Sequence, residues 1–175
     1  MPMKNLVRII GCLLSVTLLS TAVLPASFAG SATRTDPADD ASARYDLLKG
    51  RYANTEHALR ASIAVSELQN VITQVRMSFN TKAMEKDNAR FELYSKRRPS
   101  GNRTNKLYVR IGGDFTRLNC DGLKVTWRLG RDRILIKIPQ LCLGEGYGDQ
   151  RIYTNIGHPN REFADTLTRT RVTYR

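Results

Sequence analysis

The residues able to do covalent chemistry in this chain are few. It has two histidines, His57 and His158. A nucleophile–base–acid set needs a His or Lys beside a Ser, Cys or Thr. His57 falls in a predicted turn, and His158 sits in the Ile156-Gly157-His158-Pro159 loop, neither near a Gly-x-Ser-x-Gly elbow. Both read as surface histidines. Paired carboxylates can hydrolyse glycosides when about 5–10 Å apart. Glu67, Glu92, Glu145, Asp149, Glu162 and Asp165 are available, but nothing in their spacing pairs them, and they read as exposed solvating acids. Asp149, Glu162 and Asp165 could ligate calcium in a loop, yet no EF-hand spacing supports it. Without a Cys-x-x-Cys motif, no metal centre and no cofactor are expected. The chain is therefore read as non-enzymatic.

A binding chemistry is better supported. Residues 96–106 carry Lys96, Arg97, Arg98, Arg103 and Lys106 with no acid. Pro99-Ser100-Gly101 marks a hairpin turn, so these charges are expected at a loop tip between strands. Lys106 and Arg110 point away from an apolar face, as do Lys124, Arg128 and Lys137. Arg169, Arg171 and Arg175 share one side of the last strand. Together they predict a basic loop and sheet face, with Lys96, Arg97, Arg98, Arg103, Lys106 and Arg110 as its binding residues. Such a surface attracts polyanions at long range, and salt weakens it. The partner expected is an anionic cell-envelope polymer, an acidic lipid surface or an acidic protein. The bland reading is solubility charge and protection of strand edges. A carbohydrate-binding sandwich is the alternative, with Tyr94, Tyr108, Tyr147 and Tyr153 as stacking residues. The single tryptophan, Trp127, lies on an apolar face and reads as core. Asn102-Arg103-Thr104 is a glycosylation sequon.

These residues sit behind an export signal. Residues 1–8 carry Lys4 and Arg8 and no acid, residues 9–24 are apolar, and Ser27-Phe28-Ala29 supplies small residues for a peptidase. The apolar run is short for a membrane span and is broken by Ser15, Thr17, Ser20 and Thr21. Cleavage is expected after Ala29, with Ala32 as a second site. Cys12 lies inside the apolar run, too early for lipid attachment. The mature chain would keep 26 bases against 16 acids, a net charge of +10. A secreted or extracytoplasmic protein follows, with no intracellular nucleic-acid partner and no span after cleavage.

Residues 30–44 hold no large apolar side chain and read as a disordered tether. From residue 45 the apolar period is two. Leu48, Gly50 and Tyr52 predict one strand, and Leu59, Ala61, Ile63 and Val65 the next. Others run from Val71 to Phe79, through Phe91 and Leu93, from Leu107 to Ile111, and from Leu123 to Leu129. Ile134, Ile136 and Ile138, then residues 152–156 and 166–174, complete about nine. A helical turn is expected within residues 81–90. Apolar-in, polar-out alternation predicts a single antiparallel β-sandwich over residues 45–175.

Two cysteines remain after export, Cys120 and Cys142, and an even number in an exported chain predicts a disulfide. Matching the apolar faces of residues 123–129 and 134–138 sets Leu129 against Ile134 and Trp127 against Ile136. Cys120 then faces Leu143, one step from Cys142. A bridge at the open end of this hairpin fits; so does an arch joining strands in different sheets.

The segments Leu118-Asn119-Cys120-Asp121-Gly122-Leu123 and Ile136-Lys137-Ile138-Pro139-Gln140-Leu141-Cys142-Leu143-Gly144 resemble uncharacterised exported β-sandwich proteins of actinobacteria. In those, a Cys before one strand pairs with a later strand ending in a Pro-Arg-Ser-Cys-Leu-Gly-like run. Gln140 and Leu141 stand where that family often has Arg and Ser. The resemblance implies a sandwich with one disulfide and no particular activity.

Overall fold

The computed structural model describes residues 30–144 and 148–174. The proposed signal peptide, residues 1–29, lies outside them, as do Glu145, Tyr147 and Arg175. Alternation sends one face of each strand inward, and two antiparallel sheets stack on those faces. The first sheet has five strands. They are β1 (Gly30–Thr35), β2 (Leu47–Asn54), β3 (Ala58–Val65), β8 (Lys124–Arg128) and β9 (Arg133–Pro139), in the order β1-β2-β3-β9-β8. The second has six: β4 (Thr73–Asn80), β5 (Ala89–Arg97), β6 (Arg103–Ile111), β7 (Asp114–Leu118), β10 (Gln150–Gly157) and β11 (Phe163–Val172). Their order is β11-β10-β4-β5-β6-β7. The expected all-β sandwich is present, with eleven strands among the described residues rather than nine.

Between the sheets, Leu59, Ile63, Ile134 and Ile138 meet Met77, Phe79, Leu93 and Leu107, all essentially inaccessible. Each such side chain contributes about 1.5–3 kcal/mol by leaving water. Phe79 stacks on Phe91 at 5.3 Å. Polar links cross the core as well. Tyr52 Oη and Thr154 Oγ1 lie 2.9 Å apart. Trp127 Nε1 donates to Ser95 Oγ at 3.1 Å, which reconciles its indole N–H with a buried position.

The expected helical turn is α1 (Lys82–Lys86), capped by Thr81, whose hydroxyl accepts from Met84 N.

The tether reading of residues 30–44 is corrected. Gly30–Thr35 pairs with β2 along its whole length. Downstream, Asp36 N donates to Leu48 O, Glu67 N to Ala43 O and Asp39 N to Asp46 Oδ2. Backbone hydrogen bonds, with little apolar burial beyond Ala32, order this segment, so the folded unit includes residues 30–44. At β2 a bulge between Leu47 and Lys49 turns Leu47 inward in place of Leu48.

The Cys120–Cys142 disulfide forms, with Cα atoms 5.2 Å apart. It ties the start of β8 to the end of β9 within one sheet, which selects the hairpin-end arrangement over an arch. The register differs from expectation by two residues: Trp127 faces Ile134 and Val125 faces Ile136. Leu129–Arg131 forms a 3₁₀ turn instead of extending the strand, and Asp132 adopts φ 48°. Asp132 there receives Val65 N on its carbonyl and Leu68 N on Oδ1.

Candidate anion-binding faces

The same alternation that fills the core projects every second residue outward, giving two outer faces of different chemistry. On the five-stranded sheet the outward rows follow from the register. One runs Arg60, Lys137, Lys124; another Lys49, Ala64, Arg133, Arg128; between them lie Arg51, Ser62, Leu135 and Thr126. These rows hold seven cations and no acid. Apart from half-buried Lys49 the cations are exposed, and none takes part in an ion pair among the described residues. Lys124 stands directly opposite Lys137, and Arg128 opposite Arg133. Like charges so placed destabilise a sheet.

The outer face of the six-stranded sheet mixes arginine with aromatics. Its rows run Arg151, Asn80, Arg90, Arg110, Phe115; then Tyr153, Ser78, Glu92, Tyr108, Arg117; then Asn155, Arg76, Tyr94, Lys106. Glu92 was expected to be an exposed acid, but it is 1% accessible. Arg90 Nε donates to its Oε1 at 2.6 Å, Arg110 Nη1 lies at 3.9 Å, and Tyr94 Oη donates to Oε2. Burial first, then this bond to the Glu92 carboxylate, push the Tyr94 hydroxyl above its ordinary pKa. Tyr94, Tyr108 and Phe115 form an edge-to-face chain, with centroids 5.8 and 6.3 Å apart. Arg110 stacks 5.0 Å over Phe115. Of the tyrosines named from sequence, Tyr94 and Tyr108 thus share one face, with Tyr153 further along it; Tyr147 lies outside the described residues.

The basic hairpin forms between β5 and β6, its turn closed by Arg98 N to Asn102 O at 2.9 Å with Gly101 at φ +84°. Lys96, Arg98 and Lys106 line one shallow depression on the outer face. Arg110 lies on that face but attends Glu92. Arg97 is corrected: it is 8% exposed and donates Nη2 to Asn70 Oδ1 at 2.7 Å. Strand β5 continues through Arg97, so alternation turns it inward. Arg103 sits directly opposite Arg97, on the side away from Lys96. Lys124, Arg128 and Lys137 belong to the other sheet, so the basic residues split between two faces.

A cleft of about 410 Å³ opens where α1 meets β10 and β11, lined by Arg76, Arg90, Arg151, Arg169, Glu85 and Tyr153 among others. Glu85 pairs with Arg151 and, at 2.6 Å, with Arg169. Arg171, beside it, pairs with Asp149 at 2.6 Å, and that guanidinium holds the Asp149 carboxyl below its usual range. Sequence reasoning missed Arg76, Arg90, Arg151, Glu85, Phe115 and Arg117. Alternation within residues 71–79 already placed Arg76 outward.

The calcium grouping of Asp149, Glu162 and Asp165 is not formed, because Asp149 is taken by Arg171. Asp165 instead meets Asp36 and Asp40, their oxygens within 4.8 Å of one another. Burial, then Asp165 and Asp40, raise the Asp36 pKa. Oxygens so spaced can share one hard cation. Among the described residues, no helix is long and apolar enough to cross a membrane.

No protein-family model matches the chain, and comparison with curated proteins returns no relative.

Proposed function

We propose that this is an extracytoplasmic, non-enzymatic binding domain for an anionic polymer of the cell envelope, engaged by the outer face of the five-stranded sheet. One observation carries the reading: among the described residues, the outward rows of that face hold seven cations without an acid or ion pair. Acids at alternate positions would stabilise the sheet by about 0.2–1 kcal/mol per cross-strand pair. The face instead accepts Lys124 against Lys137 and Arg128 against Arg133. Strands lie about 4.8 Å apart and outward residues about 6.8 Å apart along each strand. That lattice can meet successive charges of a polyanion. The signal-like residues 1–29, the disulfide and the resemblance to exported actinobacterial sandwiches support the location.

Binding to immobilised polyglycerol phosphate, followed as sodium chloride rises, tests the reading. Lys124→Glu with Lys137→Glu should abolish binding. Lys96→Glu with Lys106→Glu, on the other sheet, should leave most of it. Affinity insensitive to salt would refute the proposal.

A second reading has its own support. Tyr94, Tyr108 and Phe115 form a continuous edge-to-face chain in which Phe115 is exposed and the tyrosines are half-buried, and an exposed aromatic ring can stack on a sugar. Titration with neutral oligosaccharides, read by tyrosine fluorescence and lost in Tyr108→Ala, tests it.

A further inference from the structure

The cleft beside α1 has the composition of an anion site that already holds an anion of its own. Four guanidinium groups line it, Arg76, Arg90, Arg151 and Arg169, and Arg171, across from Arg151, is taken by Asp149. Among the described residues the acids paired with the lining arginines are Glu85 and Glu92. Glu92 is buried beneath the surface and committed to Arg90, Arg110 and Tyr94. Arg76 bonds the neutral Asn155 Oδ1 at 3.1 and 3.3 Å, stacks 4.5 Å over Phe163 and meets the Tyr94 hydroxyl, and forms no ion pair among the described residues. Glu85 alone enters the cleft, and one carboxylate serves both Arg151 and Arg169.

We infer that this cleft is a phosphoryl-binding site and that Glu85 is an intramolecular stand-in for the ligand. Arginine forks match phosphate oxygens in pairs. A phosphoryl group carries more charge than a carboxylate and has an additional oxygen to accept from Arg76, Arg90 or Tyr153. Glu85 can leave. Its side chain is 42% exposed, and α1 is a five-residue helix with no buried residue, so swinging it outward costs little core. The ligand and Glu85 compete for the same two arginines, and apparent affinity is reduced by the fraction of molecules in which Glu85 occupies them. The residues lie on the six-stranded sheet, so the inference stands or falls independently of the polymer-binding face.

Isothermal titration of the disulfide-bonded domain with inorganic phosphate tests it, with glycerol phosphate as a second arm. Wild type should bind one phosphate weakly. Glu85→Gln should bind about tenfold more tightly, the gain expected when two partly exposed ion pairs stop competing. Arg151→Gln should lose binding. Lys124→Glu with Lys137→Glu should leave it unchanged. Tighter binding of glycerol phosphate than of free phosphate assigns the site to esters, and the reverse assigns it to the free ion; either supports a phosphoryl site. Equal or weaker affinity in Glu85→Gln, with its melting temperature unchanged, overturns the role of Glu85. Phosphate binding that survives Arg151→Gln overturns the site.

Discussion

Replacing Glu92 with Gln removes the charge of the buried acid on the outer face of the six-stranded sheet. Gln keeps the shape and can still accept one hydrogen bond, but the charge facing Arg90 at 2.6 Å and Arg110 at 3.9 Å disappears. Removing one partner of a fully buried pair costs about 3–5 kcal/mol, whereas an exposed pair contributes about 0.2–1 kcal/mol. Glu92 is 1% accessible, but the Arg90 and Arg110 side chains are 35% and 31% exposed. Both arginines can regain water, so the cost falls between those limits, at about 2 kcal/mol. For a domain of this size that lowers the melting temperature by about 8 °C. A second signature separates this from general loosening. The Tyr94 hydroxyl is held high by burial and then by Glu92, so in Glu92→Gln its ionisation should move back toward the ordinary tyrosine range. Thermal denaturation and ultraviolet titration of tyrosinate read the two effects, with exposed Glu67→Gln as control. A loss under about 0.5 kcal/mol, the level of a neutral surface change, would refute the reasoning. So would an unmoved Tyr94 titration.

Three further outcomes are expected. Cys120→Ala with Cys142→Ala opens a link between residues 22 apart in sequence, and urea denaturation should show a loss of about 3 kcal/mol on the chain-entropy account. Tyr52 is buried and its pKa is pushed up to about 12 by desolvation, against 10.0 ordinarily. The folded state therefore holds this proton more tightly than the unfolded state. Its contribution is complete below about pH 10 and is lost as pH rises toward 12, about 3 kcal/mol in all; Tyr52→Phe should flatten most of that alkaline decline. A Cβ at Gly30 would lie 1.8 Å from Thr173 O, so Gly30→Ala must push the start of β1 away from the segment that follows β11, and amide exchange should speed up across β1 and β2 at a cost of about 1–3 kcal/mol.

The interior was legible because burial obeys period two. Ile63, Val75, Leu93, Trp127 and Ile136 all point inward as their alternation requires. The two strands missed are both edges, one in each sheet. β1 is Gly-Ser-Ala-Thr-Arg-Thr and β7 is Asp-Phe-Thr-Arg-Leu, and neither buries a large side chain fully. An edge strand can be held by one ladder of backbone hydrogen bonds, and that ladder leaves no apolar signature. The two-residue register difference in β8–β9 has another origin. Asp132 is held by Val65 and Leu68 from far along the chain, so tertiary contacts chose the turn, not the residues within it.

What alternation could not supply is which outside a side chain faces. Lys106 and Lys124 are both outward by parity, yet topology sends β6 to one sheet and β8 to the other. The distinction matters because the two faces treat charge oppositely. On the six-stranded sheet, buried Glu92 holds Arg90 and exposed Glu85 pairs with Arg151 and Arg169, so those cations are already matched to carboxylates of definite position. On the five-stranded sheet, Lys124, Lys137, Arg128 and Arg133 repel one another across adjacent strands with nothing to fix them. A flexible polyanion relieves that repulsion wherever it lands, because each anion it brings screens at least two cations. The free energy gained thus depends on charge density rather than on covalent structure. Under the two binding proposals, selectivity for a particular chemical group is assigned to the arginine cleft rather than to the five-stranded face.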